Sequence, residues 1–238
     1  SEIVFEAKRY GYTVILLDTL EDEGNESECI NTLLTRSIDG IILVPCGERP
    51  ESLEKIDEQT PIVLIDRYFE DTSLSYICTD NYRGALDGVK LLIENGHKEI
   101  LCIRGVPHSM PSKERVKGYI DALRESGFDT RSRITGNDYS ITNGYLETKL
   151  AIGSPARPTA IFALSNTIML GAIRAIGESS LRIPDDVSIL SFDNNLFLDF
   201  LHPAVTRISQ PTKEISQLAV KILMERLSDK QSVPQQIK

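Results

Sequence analysis

Short apolar runs of strand length, most followed by a stretch of helical periodicity, recur along this chain and restrict it to few folds. The runs fall at residues 14–17, 40–44, 62–65, 75–78, 99–103, 160–164, 187–192 and 205–209. Most are continuously apolar rather than alternating, as expected of strands covered on both faces. The clearest helical pattern is Tyr82, Ala85, Leu86, Val89, Leu92 and Ile93, stopped by Gly96. Val116, Tyr119, Ile120 and Leu123 repeat it up to Gly127, and Ile215, Leu218, Ala219 and Ile222 mark a last long helix. Ile3, Val4, Ala7 and Tyr10 share one face of an opening helix at residues 1–10, closed by Gly11. Such alternation with right-handed crossovers predicts α/β architecture with doubly wound parallel sheets. A closed barrel of eight units is the alternative, but the step from Ile65 to Ser75 has no room for the helix that a barrel needs.

Charge narrows the function. A net charge of -9 over 238 residues repels phosphate backbones, so these residues alone make a poor nucleic-acid surface. The four cysteines (Cys29, Cys46, Cys78 and Cys102) form no C-x-x-C pair, and two lie inside apolar runs. They read as reduced, buried thiols, which favours a cytoplasmic location. No run approaches the roughly 18 apolar residues of a membrane span. No metal or cofactor motif is evident, and no cofactor is expected.

The informative polar residues stand at the carboxyl ends of the apolar runs. Asp66-Arg67 follows 62–65, Ser165-Asn166 follows 160–164, Asp193 ends 187–192 and Gln210 follows 205–209. In a parallel sheet these ends share one edge, where open α/β folds bind ligands. Carboxylates, guanidinium and amides are suited to vicinal hydroxyls, which donate and accept together. The same residue types are also ordinary helix N-caps, and that alternative stands for each position except Asp66-Arg67, an unusual pair for a plain turn.

The stretch Arg182-Ile-Pro-Asp-Asp-Val-Ser-Ile-Leu-Ser-Phe-Asp-Asn194 resembles a signature of the LacI/GalR family of sugar-responsive transcription regulators, with Ser191 where that family usually has glycine. Similar matches follow in order along the chain: Asp39-Gly-Ile-Ile-Leu-Val44, Pro61-Ile-Val-Leu-Ile-Asp-Arg67, Thr79-Asp-Asn81, Gly96-His-Lys-Glu-Ile100, Arg115-x-x-Gly118-Tyr, Arg157-Pro-Thr-Ala-Ile-Phe162 and Leu170-Gly-Ala172. The resemblance implies two periplasmic-binding-protein-like type I lobes with ligand between them. The first lobe is expected at 1–94 plus 211–238 and the second at 95–210. It further implies that Asp66 and Arg67 contact hydroxyls and a ring oxygen, that Arg115 is a second guanidinium clamp, that Asp193 is the main acidic acceptor and that Gln210 is a hinge-side contact. Tyr139 and Phe192 match positions where aromatic rings face a sugar, although core packing is an equal reading for Phe192. Ser165-Asn166 replaces the family's usual Asn-Asp. The family's first strand is expected before Ser1 and its final strand beyond Lys238.

These observations lead to the expectation of an effector-binding, dimerising domain that takes a sugar or sugar derivative. Such a domain controls DNA binding allosterically through a helix-turn-helix headpiece outside this chain, and does not meet a membrane. An exported sugar-binding protein of a transport or chemotaxis system is the alternative. An enzyme is not expected: the three histidines are scattered, and neither a nucleophile elbow nor a phosphate-binding glycine loop is present.

Overall fold

The computed structural model describes residues 2–128, 133–229 and 232–238, so Ser1 of the expected opening helix lies outside the described residues. In chain order the elements are α1 (Glu2–Arg9), α2 (Glu23–Thr35), β1 (Ile41–Leu43), α3 (Glu51–Asp57), β2 (Ile62–Ile65), β3 (Ser75–Ile77) and α4 (Asn81–Glu94). There follow β4 (Ile100–Ile103), α5 (Met110–Glu125), β5 (Arg133–Thr135), α6 (Ile141–Ile152), β6 (Ala160–Ala163) and α7 (Asn166–Gly177). The chain ends with β7 (Ser188–Phe192), a 3-10 turn (Leu196–Phe200), β8 (Thr206–Ile208), α8 (Thr212–Ser228) and β9 (Gln236–Ile237). They form two compact units, Ser1–Thr79 with Pro211–Lys238, and Asp80–Gln210.

The second unit is a parallel sheet in the order β5-β4-β6-β7-β8. Successive side chains of a strand point to opposite faces, and the unbroken apolar runs therefore feed two cores. Ile100 and Cys102, Ala160 and Phe162, and Leu190 and Phe192 pack with Ala85, Leu86, Val89, Tyr119 and Leu123 of α4 and α5. Leu101 and Ile103, Ile161 and Ala163, and Ile189 pack with Ile168, Met169, Ala172 and Ile176 of α7. Helices thus cover both faces, the doubly wound arrangement expected from the pattern. α6 and α7 meet at backbone distance: a Cβ on Gly171 would lie 2.1 Å from the Ile141 carbonyl oxygen, and one on Gly144 2.0 Å from that of Ile168.

The first unit has a parallel sheet in the order β1-β2-β3-β9. Ala219, Ile222 and Leu223 of α8 cover Val63 and Ile77 on one face. Arg226, further along α8, forms a bidentate pair with Asp57 (2.6 and 2.8 Å) and reaches the Ile62 carbonyl at 3.3 Å. A buried guanidinium is tolerable only when its charge is paired in this way.

Three expectations change, and one strand was not foreseen. Residues 14–17 are not a buried strand: they pair with no described strand, and Ile15, Leu16 and Leu17 are exposed. An apolar run becomes a strand only where an edge takes up its backbone groups, and β1 has its ladder with β2 alone. The last strand, expected beyond Lys238, is β9, which pairs with β3. The unit boundary falls between Thr79 and Asp80 instead of near Glu94, because α4 packs on α5 and puts Leu86, Val89 and Leu92 into the second core. β5 carries no apolar run, being Arg-Ile-Thr at a half-buried sheet edge, and so gave no signal in the sequence. The two open sheets also dispose of the barrel.

Candidate functional site

In the second unit the expected residues meet at the carboxyl edge of the sheet. β7 ends at Phe192, and Asp193 turns away from the ladder with φ 80, its N–H bonded to the Ile208 carbonyl at 3.0 Å. A residue other than glycine at such a φ is uncommon and costs about 1 kcal/mol or more, so the surroundings must hold it there. Gln210 does part of this: its Nε2 donates to Asp193 Oδ1 at 2.5 Å. The same oxygen lies 3.6 Å from Arg115 Nη2, and the Asp193 side chain remains a quarter exposed.

Arg115 lies in the second turn of α5, with 4% of its side chain exposed. Its Nε donates to Asn81 Oδ1 at 2.8 Å, its Nη1 to the Leu164 carbonyl at 2.6 Å, and its Cζ sits 3.6 Å above the Phe192 ring. Three elements therefore fix the guanidinium before any ligand arrives, and a cation over a buried ring adds about 1–2 kcal/mol. Phe192 is fully buried in the core, its ring face taken up by Arg115. The packing alternative is the one that the structure shows for this residue.

A second polar strip adjoins this group at Leu164. Ser165 caps α7, its Oγ accepting from the Ile168 N–H at 3.2 Å and lying 2.8 Å from Thr167 Oγ1. Here the helix-cap alternative is realised. Thr167 Oγ1 donates to the Tyr139 carbonyl at 2.5 Å, and the Tyr139 hydroxyl lies 3.1 Å from Ser109 Oγ at the start of α5. The Tyr139 ring packs flat on Gly105, where a Cβ would meet it at 2.1 Å. Asn166, half-buried, opens α7 beside this strip. Sequence reasoning did not name Asn81, Ser109 or Thr167. Asn81 had a signal, since it closes the Thr79-Asp-Asn81 match, whereas the two hydroxyls had none.

The first unit has its own rim. Asp66 follows β2 with φ 65, and its N–H bonds to the Ile77 carbonyl at 3.1 Å. Arg67 Nη2 meets both carboxylate oxygens of Glu21, at 3.0 and 2.7 Å. Glu21 is presented by a turn in which it and Leu20 both have positive φ (58 and 55), and in which the Asp22 N–H bonds to the Thr19 carbonyl. Thr19 Oγ1 lies 3.2 Å from Cys46 Sγ, tying that turn to the loop after β1. Glu26, buried, accepts from the Cys46 N–H at 2.7 Å; burial raises its carboxyl above the ordinary range, and that hydrogen bond opposes the rise. Burial likewise raises the Cys46 thiol. Sequence reasoning missed Glu21 because an acidic turn gives no sign of its partner. Among the described residues no group of His, Cys, Asp and Glu could hold a metal ion.

Comparison with known proteins fits this geometry. A model of the periplasmic binding protein-like domain matches residues 89–238. The repressor CytR of Escherichia coli K12 is 33% identical over 226 residues, covering 93% of this chain and 65% of its own. The repressor PurR of Vibrio atlanticus is 32% identical over 232 residues, covering 93% and 67%. The chain belongs to the LacI/GalR family of transcriptional regulators. Its two parallel-sheet lobes are the periplasmic-binding-protein-like type I architecture of that family. A crystal structure from Burkholderia thailandensis, assigned as a ribose operon repressor, superposes with a TM-score of 0.87 at 30% identity and covers 99% of this chain and 88% of that one. The chain spans about two-thirds of the length of the curated relatives it matches. The two relatives, CytR and PurR, are both transcriptional repressors.

Proposed function

We propose that this chain is the effector-binding and dimerising part of a cytoplasmic LacI/GalR regulator, and that its effector is a sugar or sugar derivative. The observation that carries this is Asp193, a partly exposed carboxylate at a strand end, held in a costly backbone conformation and braced by Gln210 and Arg115. Strain maintained at a rim position is characteristic of a ligand contact. In the first unit Asp66 and Arg67 stand at the end of β2, and in the second Tyr139, Ser165 and Asn166 line the sheet edge. The likeness to a protein assigned as a ribose operon repressor supports a carbohydrate.

Exposed apolar side chains support the dimer. α6 presents Ile141, Leu146 and Leu150, the 3-10 turn after β7 presents Phe200, and α1 presents Val4 and Phe5. Effector binding shifts an equilibrium between states of the regulator, and coupling of about 1–3 kcal/mol changes operator affinity roughly 5- to 150-fold. DNA is contacted through a headpiece outside these residues. Calorimetry of this domain against free aldoses, disaccharides and their phosphates tests the reading. Binding that survives either Asp193→Ala or Arg115→Ala sinks it.

A further inference from the structure

Both guanidinium groups among the proposed effector contacts already hold carboxylates of their own chain. Arg115 faces Asp193, and Arg67 is chelated by both oxygens of Glu21. The second pairing is not a chance surface contact. The Arg67 side chain is only 16% exposed, while Glu21 is 66% exposed and comes from a turn with two consecutive left-handed residues. That turn is braced by the Leu20 N–H bond to Asp18 and by the Thr19 contact to Cys46. Each strained residue costs free energy, so the turn is built to bring Glu21 onto Arg67.

The consequence is electrostatic. Arg67 alone would make this rim an anion receptor, since a planar guanidinium matches a phosphate oxygen pair. With Glu21 on it, the charge of the guanidinium is already met by a carboxylate. A phosphate ester near this rim brings a charge of about −1.5 to −2 and must displace Glu21. A neutral diol needs no such displacement.

We infer that Glu21 is a specificity-determining residue: by occupying Arg67 it selects uncharged polyhydroxyl effectors and rejects their phosphate esters. The inference rests on the effector reading above and adds the charge class of the ligand. Its test is calorimetry of the wild-type chain and Glu21→Gln with matched pairs, ribose and ribose 5-phosphate, and glucose and glucose 6-phosphate. Wild type is expected to bind the neutral member of one pair at least about tenfold more tightly, and Glu21→Gln to shrink that ratio about tenfold, by strengthening the ester, with neutral binding kept within about threefold. Tighter ester binding by wild type overturns the proposal, and so does a ratio left unchanged by Glu21→Gln. Equal weakening of both members would make Glu21 merely structural and also overturns it. Binding by no member of either pair overturns it. Asp193→Ala separates the two ideas: if binding survives Asp193→Ala while Glu21→Gln still changes the ratio, the effector site as drawn fails and charge selection at Arg67 stands.

Discussion

Asp193 repeats in the second unit the backbone that Asp66 adopts in the first. Each is the residue after an inner strand of a parallel sheet, each has a positive φ (80 and 65), and each N–H bonds to the last residue of the next strand (Ile208 and Ile77). One such residue could be local accident. The same costly device in both units, bearing the same acid each time, marks a requirement on where a carboxylate must point.

That requirement separates stability from binding. Asp193→Gly relieves the left-handed strain while removing the carboxylate. The variant is expected to keep its unfolding free energy within about 1 kcal/mol of wild type yet lose effector affinity roughly 10- to 100-fold, the worth of a charge-assisted hydrogen bond. Urea unfolding and calorimetry on the same preparation check both halves.

Arg115 should behave differently, because it holds the unit together as well as facing Asp193. Arg115→Ala removes the hydrogen bonds to Asn81 Oδ1 and the Leu164 carbonyl and uncovers the Phe192 ring. A loss of about 3 kcal/mol in unfolding free energy is expected, with effector binding lost as well. Arg115→Lys recovers little, since one ammonium cannot reach three partners and stack.

Gly171→Ala tests the contact of α6 and α7. Its Cβ would lie 2.1 Å from the Ile141 carbonyl oxygen and 2.5 Å from the Tyr145 nitrogen, so the helices must part. A cost of about 1–3 kcal/mol is expected from thermal or urea unfolding. Effector affinity measured well below the transition should change far less than for Asp193→Gly.

Two carboxylates give pH dependence of opposite sign. Glu54 accepts from the Ser73 N–H at 2.7 Å and from the Ser73 and Thr72 hydroxyls at 3.0 Å, and the backbone bond leads in holding its pKa below the ordinary 4.5. Its contribution is present above about pH 4.5 and is lost as pH falls through the depressed folded value. Burial raises Glu26 above 4.5, so ionising it in the fold carries a penalty that grows as pH rises from 4.5 through the raised value. Unfolding profiles should therefore flatten on the acid side in Glu54→Gln, whereas Glu26→Gln should gain on wild type as pH rises through that upper window.

Leu150 is 72% exposed and Phe200 81%. Changing both to Glu should leave the unfolding transition nearly unmoved and shift sedimentation toward monomer. A wild-type chain that sediments as a monomer at tens of micromolar would refute the dimer.

How legible the molecule was in its sequence follows from where each constraint lives. Doubly buried strands announce themselves, because Leu101-Cys102-Ile103 and Ile161-Phe162-Ala163 must be apolar on both sides of the sheet. Strand ends were equally readable, since polarity at Asp66, Asp193 and Gln210 interrupts those runs. Partners were not. Phe192 as a stacking surface for Arg115 and Glu21 on Arg67 depend on contacts across 77 and 46 positions, which no local pattern records. Residues 14–17 misled because apolar composition reports a tendency to be covered and is silent about what does the covering.

The chain route has a consequence for synthesis. The second unit is one uninterrupted segment, Asp80–Gln210, and can acquire its structure as soon as that segment has emerged. The first unit cannot: α8 supplies one face of its core, and β9 supplies the partner of β3, both from the far end of the polypeptide. Nascent β1, β2 and β3 therefore wait, with apolar Val63 and Ile77 uncovered, through the translation of well over a hundred codons. During that interval chaperones have their binding window on this protein, and a ribosome stalled before Thr212 would release a chain with one finished unit and one that cannot close.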